Sequence, residues 1–325
     1  MMMSRRALLI ATGASAMCPG LALAQEFPTK PLRIIVPYPA GGPTDALARI
    51  VGRELQAGLG QAVVVENRPG GAGAIGTREG VKAEPDGHTL VLGNNQTHAT
   101  NALLMKDLGY DPVADFVPVA GLADLQHALV VSPAIGINTV AELVARAKKD
   151  PGKLNYGSTG IGSGSHLTME LFKARTGTEM QHVPFTGAAP MATEIVAGRI
   201  DVAFSTLSAV LGQIQGGSMK ALAIASNVRA PQLPSVPLLK EQGVVDSEGD
   251  SWLALFAPAK APAAAVDKMS RVVQAALARP DVVEAATKLG IAVNVRGTDA
   301  FKAYHLAEMT KWGEVVRIAN VKIGG

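Results

Sequence analysis

Apolar positions along the chain follow two alternating rhythms: short β-branched runs, and longer stretches with a period near 3.6. LRIIVPY (32–38) predicts a strand, and TDALARIVGRELQAGLG (44–60) an amphipathic helix that stops at Gly60. VVVEN (63–67) predicts the next strand, IGTREGVKAE (75–84) the next helix and HTLVLGN (88–94) a third strand. This alternation argues an α/β fold with parallel strands and right-handed crossovers. HALVVSP (127–133) reads as a strand and TVAELVARAKKDP (139–151) as a helix, with Thr139 and Glu142 spaced for a capping box.

A second unit then repeats the logic of the first. LNYGS (154–158) is a strand, SHLTMELFKARTG (165–177) a helix and MQHVPF (180–185) a strand. A helix through MATEIVAGR (191–199) precedes strands at IDVAFST (200–206) and MKALAIAS (219–226). WLALFAP (252–258) reads as a crossover strand, ended by Pro258 and the Ala/Pro stretch behind it. Residues 263–280, 281–289 and 298–319 are helical by period, and Tyr304, Met309 and Trp312 fall on one stripe expected in the core. The chain is therefore expected to enter a second domain near residue 126 and to return near 250.

The first residues stand outside this pattern. MMMSRRALLIATGASAMCPGLALA carries Arg5 and Arg6, a short apolar stretch, and Ala22-Leu23-Ala24 before Gln25. That composition predicts an export signal over 1–24 with an A-x-A cleavage site. Ser4-Arg5-Arg6-Ala7-Leu8-Leu9 resembles a twin-arginine signal, but paired arginines occur in ordinary signals too, so both export routes stay open. Met17 before Cys18 argues against a lipoprotein site, and Cys18 is the only cysteine. Once the signal is removed, disulfides, thiolate chemistry and cysteine-built metal sites are excluded. Without Arg5 and Arg6, twenty-eight basic residues face twenty-seven acidic ones. No basic run has interleaved aromatics, which argues against a nucleic-acid partner. No later apolar stretch reaches membrane-spanning length. The expectation is a soluble, exported, two-domain protein with monomer as its default state.

Three strand-to-helix joints are rich in glycine: PYPAGGPTD (37–45), NRPGGAG (67–73) and YGSTGIGSGSH (156–166). Glycine permits positive φ and close backbone approach, so successive N–H groups can face a ligand. Each joint opens a helix, whose N-terminus favours an anion without help from Arg or Lys.

GAGAIG (71–76) fits the dinucleotide fingerprint G-x-G-x-x-G, but it sits at the second joint rather than the first. The acidic ribose ligand expected about 20 residues further on is replaced by Gly93-Asn94-Asn95. No Gly-Lys-Ser/Thr closes a loop, and no serine in 156–166 satisfies G-x-S-x-G. His88, His98, His127, His166, His182 and His305 are scattered without metal-ligand spacing. The sequence thus offers no catalytic constellation, cofactor site or metal site. It leaves hydroxyls and backbone: Thr44, Ser158, Thr159, Ser163, Ser165 and Thr206. Each alone reads as an N-cap or turn residue. Two Gly-rich, helix-opening loops in separate domains point together to a ligand.

PYPAGGPTD, ENRPGGAG, YGSTGIGSGSHL, HVPFTGAAP and GRIDVAFST, in this order, resemble the successive motifs of the Bug family of tripartite tricarboxylate transporter substrate-binding proteins. The resemblance runs from about Pro31 to the C-terminus. It implies a type II periplasmic binding-protein fold, with two α/β domains joined by two crossover strands and a ligand cleft between them. Domain 1 is then 26–125 plus 249–325, and domain 2 is 126–248. Carried over position by position, one wall is Tyr38, Ala40, Gly41, Gly42, Thr44 and Asp45. The other is Ser158, Thr159, Gly160, Gly162, Ser163 and His166, with Pro184, Phe185, Gly187, Asp201 and Thr206 behind. A carboxylate facing a carboxylate ligand repels it, so Asp45 and Asp201 are expected to brace loops or hold a bridging water. Tyr38 suits a lid or the core, His166 a helix cap or a ligand contact, and Arg68 a loop brace. GAGAIG becomes a packing and loop-shaping turn near the cleft rim. Asn94, Asn95, Thr97 and Phe185 are further candidates for setting ligand preference.

The implied function is a periplasmic protein that captures a small mono- or dicarboxylate by cleft closure and presents it to integral membrane subunits of a carrier. A ligand-sensing module for a sensor kinase is the alternative reading. An exported hydrolase or dehydrogenase is disfavoured for want of catalytic residues.

Overall fold

The computed structural model describes residues 26–321; the expected export signal lies outside the described residues. The chain begins β1 (Leu32–Val36), α1 (Pro43–Leu59), β2 (Val63–Asn67), α2 (Ala74–Val81) and β3 (Thr89–Asn94). A π-helical turn at Gln96–Thr100 runs into α3 (Asn101–Leu104) and then β4 (Phe116–Leu125). Next come β5 (His127–Val131), α4 (Val140–Lys149), β6 (Asn155–Ser158), α5 (Gly164–Thr176) and β7 (Gln181–Pro184). They are followed by α6 (Ala188–Val196), β8 (Val202–Thr206), α7 (Leu207–Gln215) and β9 (Lys220–Ile224). β10 (Ser251–Pro258), α8 (Ala263–Leu277), α9 (Pro280–Lys288), β11 (Ala292–Arg296) and α10 (Thr298–Ala319) complete the described chain.

These strands form two sheets on one plan. The first has the order β11-β4-β10-β3-β1-β2, the second β7-β6-β8-β5-β9. In each, three parallel strands stand in the order second, first, third: β2-β1-β3 and β7-β6-β8. An antiparallel strand follows the third, β10 beside β3 and β5 beside β8. The chain leaves the first sheet through β4 and Gln126 and returns through β10, which pairs with β4 at Leu125↔Ser251. The two connections therefore run side by side. This is the two-domain periplasmic binding-protein architecture that the motifs implied.

Burial explains why these segments became strands and helices. Leu32, Ile34, Ile35 and Val36 of β1 are fully buried, and every residue of β10 is buried, as strands covered on both faces must be. α1 turns Leu47, Ile50, Val51 and Leu55 onto the sheet and stops at Gly60, which adopts φ 73° and closes the helix with a bond to Gln56. Thr139 caps α4 by accepting from the Glu142 N–H, but Glu142 reaches back to the N–H of Asn138 rather than to that of Thr139.

Four features were not expected from the pattern: β4, β11, α7 and the helical turn at 96–104. β4 holds Pro118 and Gly121, which argue against a central strand. Two one-residue irregularities in its pairing with β10 accommodate them. Gly121 is also the one residue that fits, because a Cβ there would lie 2.3 Å from the Phe301 ring.

The single stripe expected on the last helix is a correction. Tyr304 packs beside Trp252, Phe256 and Phe301 under the first sheet. Met309 and Trp312 instead join Ala99, Leu167, Leu171 and Val315. α10 thus starts on the first unit and ends against α5 of the second.

Candidate functional site

A cavity of about 840 Å³ lies between the two units, at the carboxyl ends of β1, β3, β6 and β8. Open α/β sheets place ligands at these strand ends. Four helices begin on its wall: α1 at Gly42–Thr44, α5 at Ser163–Ser165, α6 at Gly187–Ala189 and α7 at Thr206–Ser208. Among the described residues, no Lys, Arg, Asp or Glu lines it. Three of the four N-termini, those of α1, α6 and α7, have no side-chain cap. Apart from the Leu207 N–H, which donates to the Gln126 carbonyl at 2.8 Å, their first N–H groups are therefore left to water or a ligand.

Tyr38, Ala40, Gly41, Gly42 and Thr44 line one wall. The Tyr38 hydroxyl donates to Asn94 Oδ1 at 2.9 Å, with Gln96 Oε1 at 3.2 Å, so the ring is held against the end of β3. Asp45 does not line the cavity. Its Oδ2 accepts from the Gly41 N–H at 3.0 Å and from Arg49 Nε at 3.1 Å, and its Oδ1 accepts from Asn67 Nδ2 at 3.1 Å. Burial pushes its carboxyl up, but the bonds from Arg49, Gly41 and Asn67 outweigh that and hold it below the ordinary value. These bonds make Asp45 a brace for the glycine turn.

On the second wall Thr159 and Ser163 reach the cavity, together with Ser165. Ser165 Oγ accepts from the Thr159 N–H at 2.9 Å, and Ser163 Oγ caps α5 by accepting from the His166 N–H. Ser158, Gly160, Gly162 and His166 stand behind this surface. Ser158 Oγ meets His182 Nε2 at 2.6 Å, and His166 Nδ1 accepts from the Gly162 N–H at 3.1 Å. His166 stacks on His182 with centroids 4.0 Å apart, and His182 stacks on Tyr156 at 4.8 Å. Tyr156 in turn donates to Glu170. Burial, then the neighbouring His182 and Lys173, push His166 down to about 3. Burial, with Glu170 pulling up and Lys173 down, leaves His182 at about 4. Both rings are neutral props for the loop, and His166 is a support residue rather than a lining one.

Gly187 and Thr206 line the cavity; Pro184, Phe185 and Asp201 do not. Phe185 turns partly into the core of the second unit, and its N–H bonds the Ser158 carbonyl at 2.9 Å. Asp201 stands before β8, at the opposite end of that strand from Thr206, and accepts from the Asn155 N–H at 2.7 Å. The motif GRIDVAFST therefore contributes its last residue to the cavity, because a strand can present only one end to the cleft. GAGAIG stays off the cavity and packs. Gly73 has φ +83°, and a Cβ on it would lie 2.6 Å from Thr97 Cγ2 and 3.3 Å from the Tyr38 hydroxyl.

Of the floor, the sequence had named only Asn95. Asn95 follows β3, His127 opens β5, Ser251 opens β10 and Gly164 begins α5. All four line the cavity. A Cβ on Gly164 would lie 2.6 Å from Ser251 Oγ, 3.2 Å from Asn95 Nδ2 and 3.2 Å from His127 Cε1. Asn95 and His127 are 1% and 2% exposed, yet Asn95 Nδ2 and His127 Nδ1 have no hydrogen-bond partner. Burial pushes His127 down to about 4, against the pull of the Gly249 carbonyl. The available signal was position: Asn95 ends one strand, and His127 is the polar residue that opens an otherwise apolar run.

Residues 47–321 match the tripartite tricarboxylate transporter family receptor. Protein BugT of Bordetella pertussis is 34% identical over 301 residues, which cover 92% of each chain. Among solved structures, R. palustris Rpa4515 with adipate superposes with a TM-score of 0.88 at 32% identity, covering 91% of this chain and 99% of that one. MatC from Rhodopseudomonas palustris with bound malate gives a TM-score of 0.83 at 31% identity, covering 89% and 100%.

Proposed function

The chain belongs to the tripartite tricarboxylate transporter receptor family, and on that premise we propose that it is a periplasmic solute-binding protein for a small mono- or dicarboxylate. The observation that carries this reading is the convergence of four helix N-termini on a cavity lined by no charged side chain. Each N-terminus presents roughly half a positive charge and open N–H donors. A carboxylate suits such a place. The adipate and malate held by two structural relatives support the same class.

The ligand carboxylate is met by the backbone of Gly42, by Thr44, and by Thr159, Ser163 and Thr206, while the Gly41 N–H stays on Asp45. Asp45 and His166 hold the two loops in shape. Neutral donors bind an anion firmly in a closed, dry cleft and give it up when water returns, which suits delivery rather than storage. Residues 26–125 with 249–321 move as one body and 126–248 as the other, a hinge closure about Gln126 and the segment before β10. Gln126 Nε2 joins these connections by donating to Ser226 Oγ at 3.3 Å and to the Val228 carbonyl at 2.6 Å. The closed form is then read by the integral membrane subunits of a carrier. His127 is the imidazole on the cavity wall, and no carboxylate lines the wall to orient it as a base, which supports binding without turnover.

A thermal-shift screen of protein unfolded and refolded to strip carried-over ligand, run against a panel of carboxylates, tests the proposal. Ligand at 1,000 times its Kd adds roughly 4 kcal/mol, and each kcal/mol raises the midpoint by about 2–4 °C at this size. A true ligand therefore raises it by several degrees. A folded, empty protein that responds to no carboxylate overturns the reading.

A further inference from the structure

We infer that the cleft floor reads a neutral oxygen on the ligand's carbon skeleton through Asn95 and His127, so that the protein selects hydroxy- or oxo-acids over the unsubstituted acids of the same length. This deepens the proposed function and rests on it.

The helix N-termini on the walls account for the carboxylate, but the floor is a separate construction. Asn95, His127 and Ser251 arrive from the ends of β3, β5 and β10, and they converge on the place a side chain at Gly164 would fill. Two of them are buried with polar atoms unpartnered, Asn95 Nδ2 and His127 Nδ1. Native interiors rarely leave such atoms unpaired, so buried, unpartnered atoms on residues that line a cavity mark where a ligand atom can complete them.

The chemistry of the pair specifies that atom. An amide Nδ2 is a donor only, and a neutral imidazole offers one donor and one acceptor. Burial keeps His127 neutral, as its low pKa of about 4 indicates. Two donors fit a carbonyl oxygen; with its N–H drawn to the Gly249 carbonyl, His127 offers its acceptor instead, and a donor with an acceptor fits a hydroxyl. An ammonium group finds no anion on this floor. The matched group is an uncharged oxygen, held between Asn95 of the first unit and His127 of the second, so reading it also helps draw the cleft shut.

The test is calorimetric titration of the stripped protein with matched short-chain acids: each parent, its hydroxy derivative and its oxo derivative, in monocarboxylate and dicarboxylate series. An oxygenated member is expected to bind at least about tenfold more tightly than its parent. Whether the hydroxyl or the oxo form leads assigns the floor's tautomer. Asn95→Ala and His127→Phe are each expected to narrow the preference, weakening the oxygenated member about tenfold more than the parent. Equal affinity within every set, measured on the wild-type protein and so independent of any variant's folding, overturns the inference while leaving carboxylate capture standing. A variant that weakens parent and derivative alike also overturns it, since the residue then only shapes the floor. Absence of binding by every acid removes the proposed function itself, and this inference with it.

Discussion

Thr100 Oγ1 donates to the carbonyl of Gly162 at 2.9 Å, a bond from the helical turn after β3 to the glycine loop of the other unit. Gln96 Nε2 approaches the Ile161 carbonyl beside it at 3.4 Å. The two units are thus tied through the same loop that forms a ligand wall. Thr100→Val keeps the shape and removes the donor. The expected result is ligand affinity lower by about fivefold, near 1 kcal/mol, expressed mainly as faster release. Stopped-flow displacement separates the rates, and an unchanged off-rate would show that the tie is incidental.

Asp45 orders the first glycine turn by accepting from Gly41, Arg49 and Asn67 together. Asp45→Ala leaves the Asn67 amide and the Gly41 N–H without this acceptor, and is expected to cost about 1–3 kcal/mol in urea unfolding. It should also weaken acid binding, although Asp45 does not line the cavity. Asp45→Asn keeps one acceptor and should fall between the two. If Asp45→Ala bound ligand more tightly, through lost repulsion, the bracing role would be wrong.

Gly164→Ala places a methyl group 2.6 Å from Ser251 Oγ, at the point where the floor side chains meet. Ala is a good helix residue, and the serine hydroxyl can rotate away, so stability should change by no more than about 1 kcal/mol. Affinity should drop by more than about tenfold because the floor is filled. Matched unfolding curves alongside an undiminished Kd would show that ligand sits higher in the cleft.

Asp250 stands just before β10 with Ser226 Oγ donating to its Oδ2 at 2.7 Å, and its Oδ1 is buried without a partner. Burial, with smaller pushes from Asp124 and Glu308, raises its carboxyl to about 7 against the pull of Ser226 and Lys311. Between about pH 4 and 7 the folded protein keeps a proton that the unfolded chain has released. This group's contribution to stability is therefore greatest below about pH 4, falls as pH rises towards 7, and is level above that. Asp250→Asn should remove the penalty, making the variant more stable than wild type at pH 8 by on the order of 1–4 kcal/mol, with the gap closing on acidification. The quantity to measure is that difference in urea stability at several pH values, which cancels the acid sensitivity of the buried histidines. A gap that stays constant with pH would show that Asp250 titrates normally.

Much of the secondary structure was legible because burial leaves a local trace. β2 occupies the five residues of VVVEN, and the last helix spans Thr298–Ala319 as its period required. β4 was not legible, because Pro118 and Gly121 break the strand pattern and their tolerance depends on bulges and on Phe301, nearly two hundred residues away. The glycine loops announced two cavity walls, yet loop membership does not say which way a residue faces. Ser158 and His166 turned to His182 and Gly162, and Asp201 fell at the wrong end of β8.

The sequence by itself determined the alternation of strands and helices and the helix-opening glycine joints, since each is a property of neighbours along the chain. Tertiary structure alone decided that four helix N-termini share one cavity and that Asn95, His127, Gly164 and Ser251 meet at its floor. Those residues come from four separate segments, and only the order of strands in two sheets and the pairing of β4 with β10 bring them within contact. Periodicity records which face of an element is covered; it carries no record of which distant strand end lies opposite.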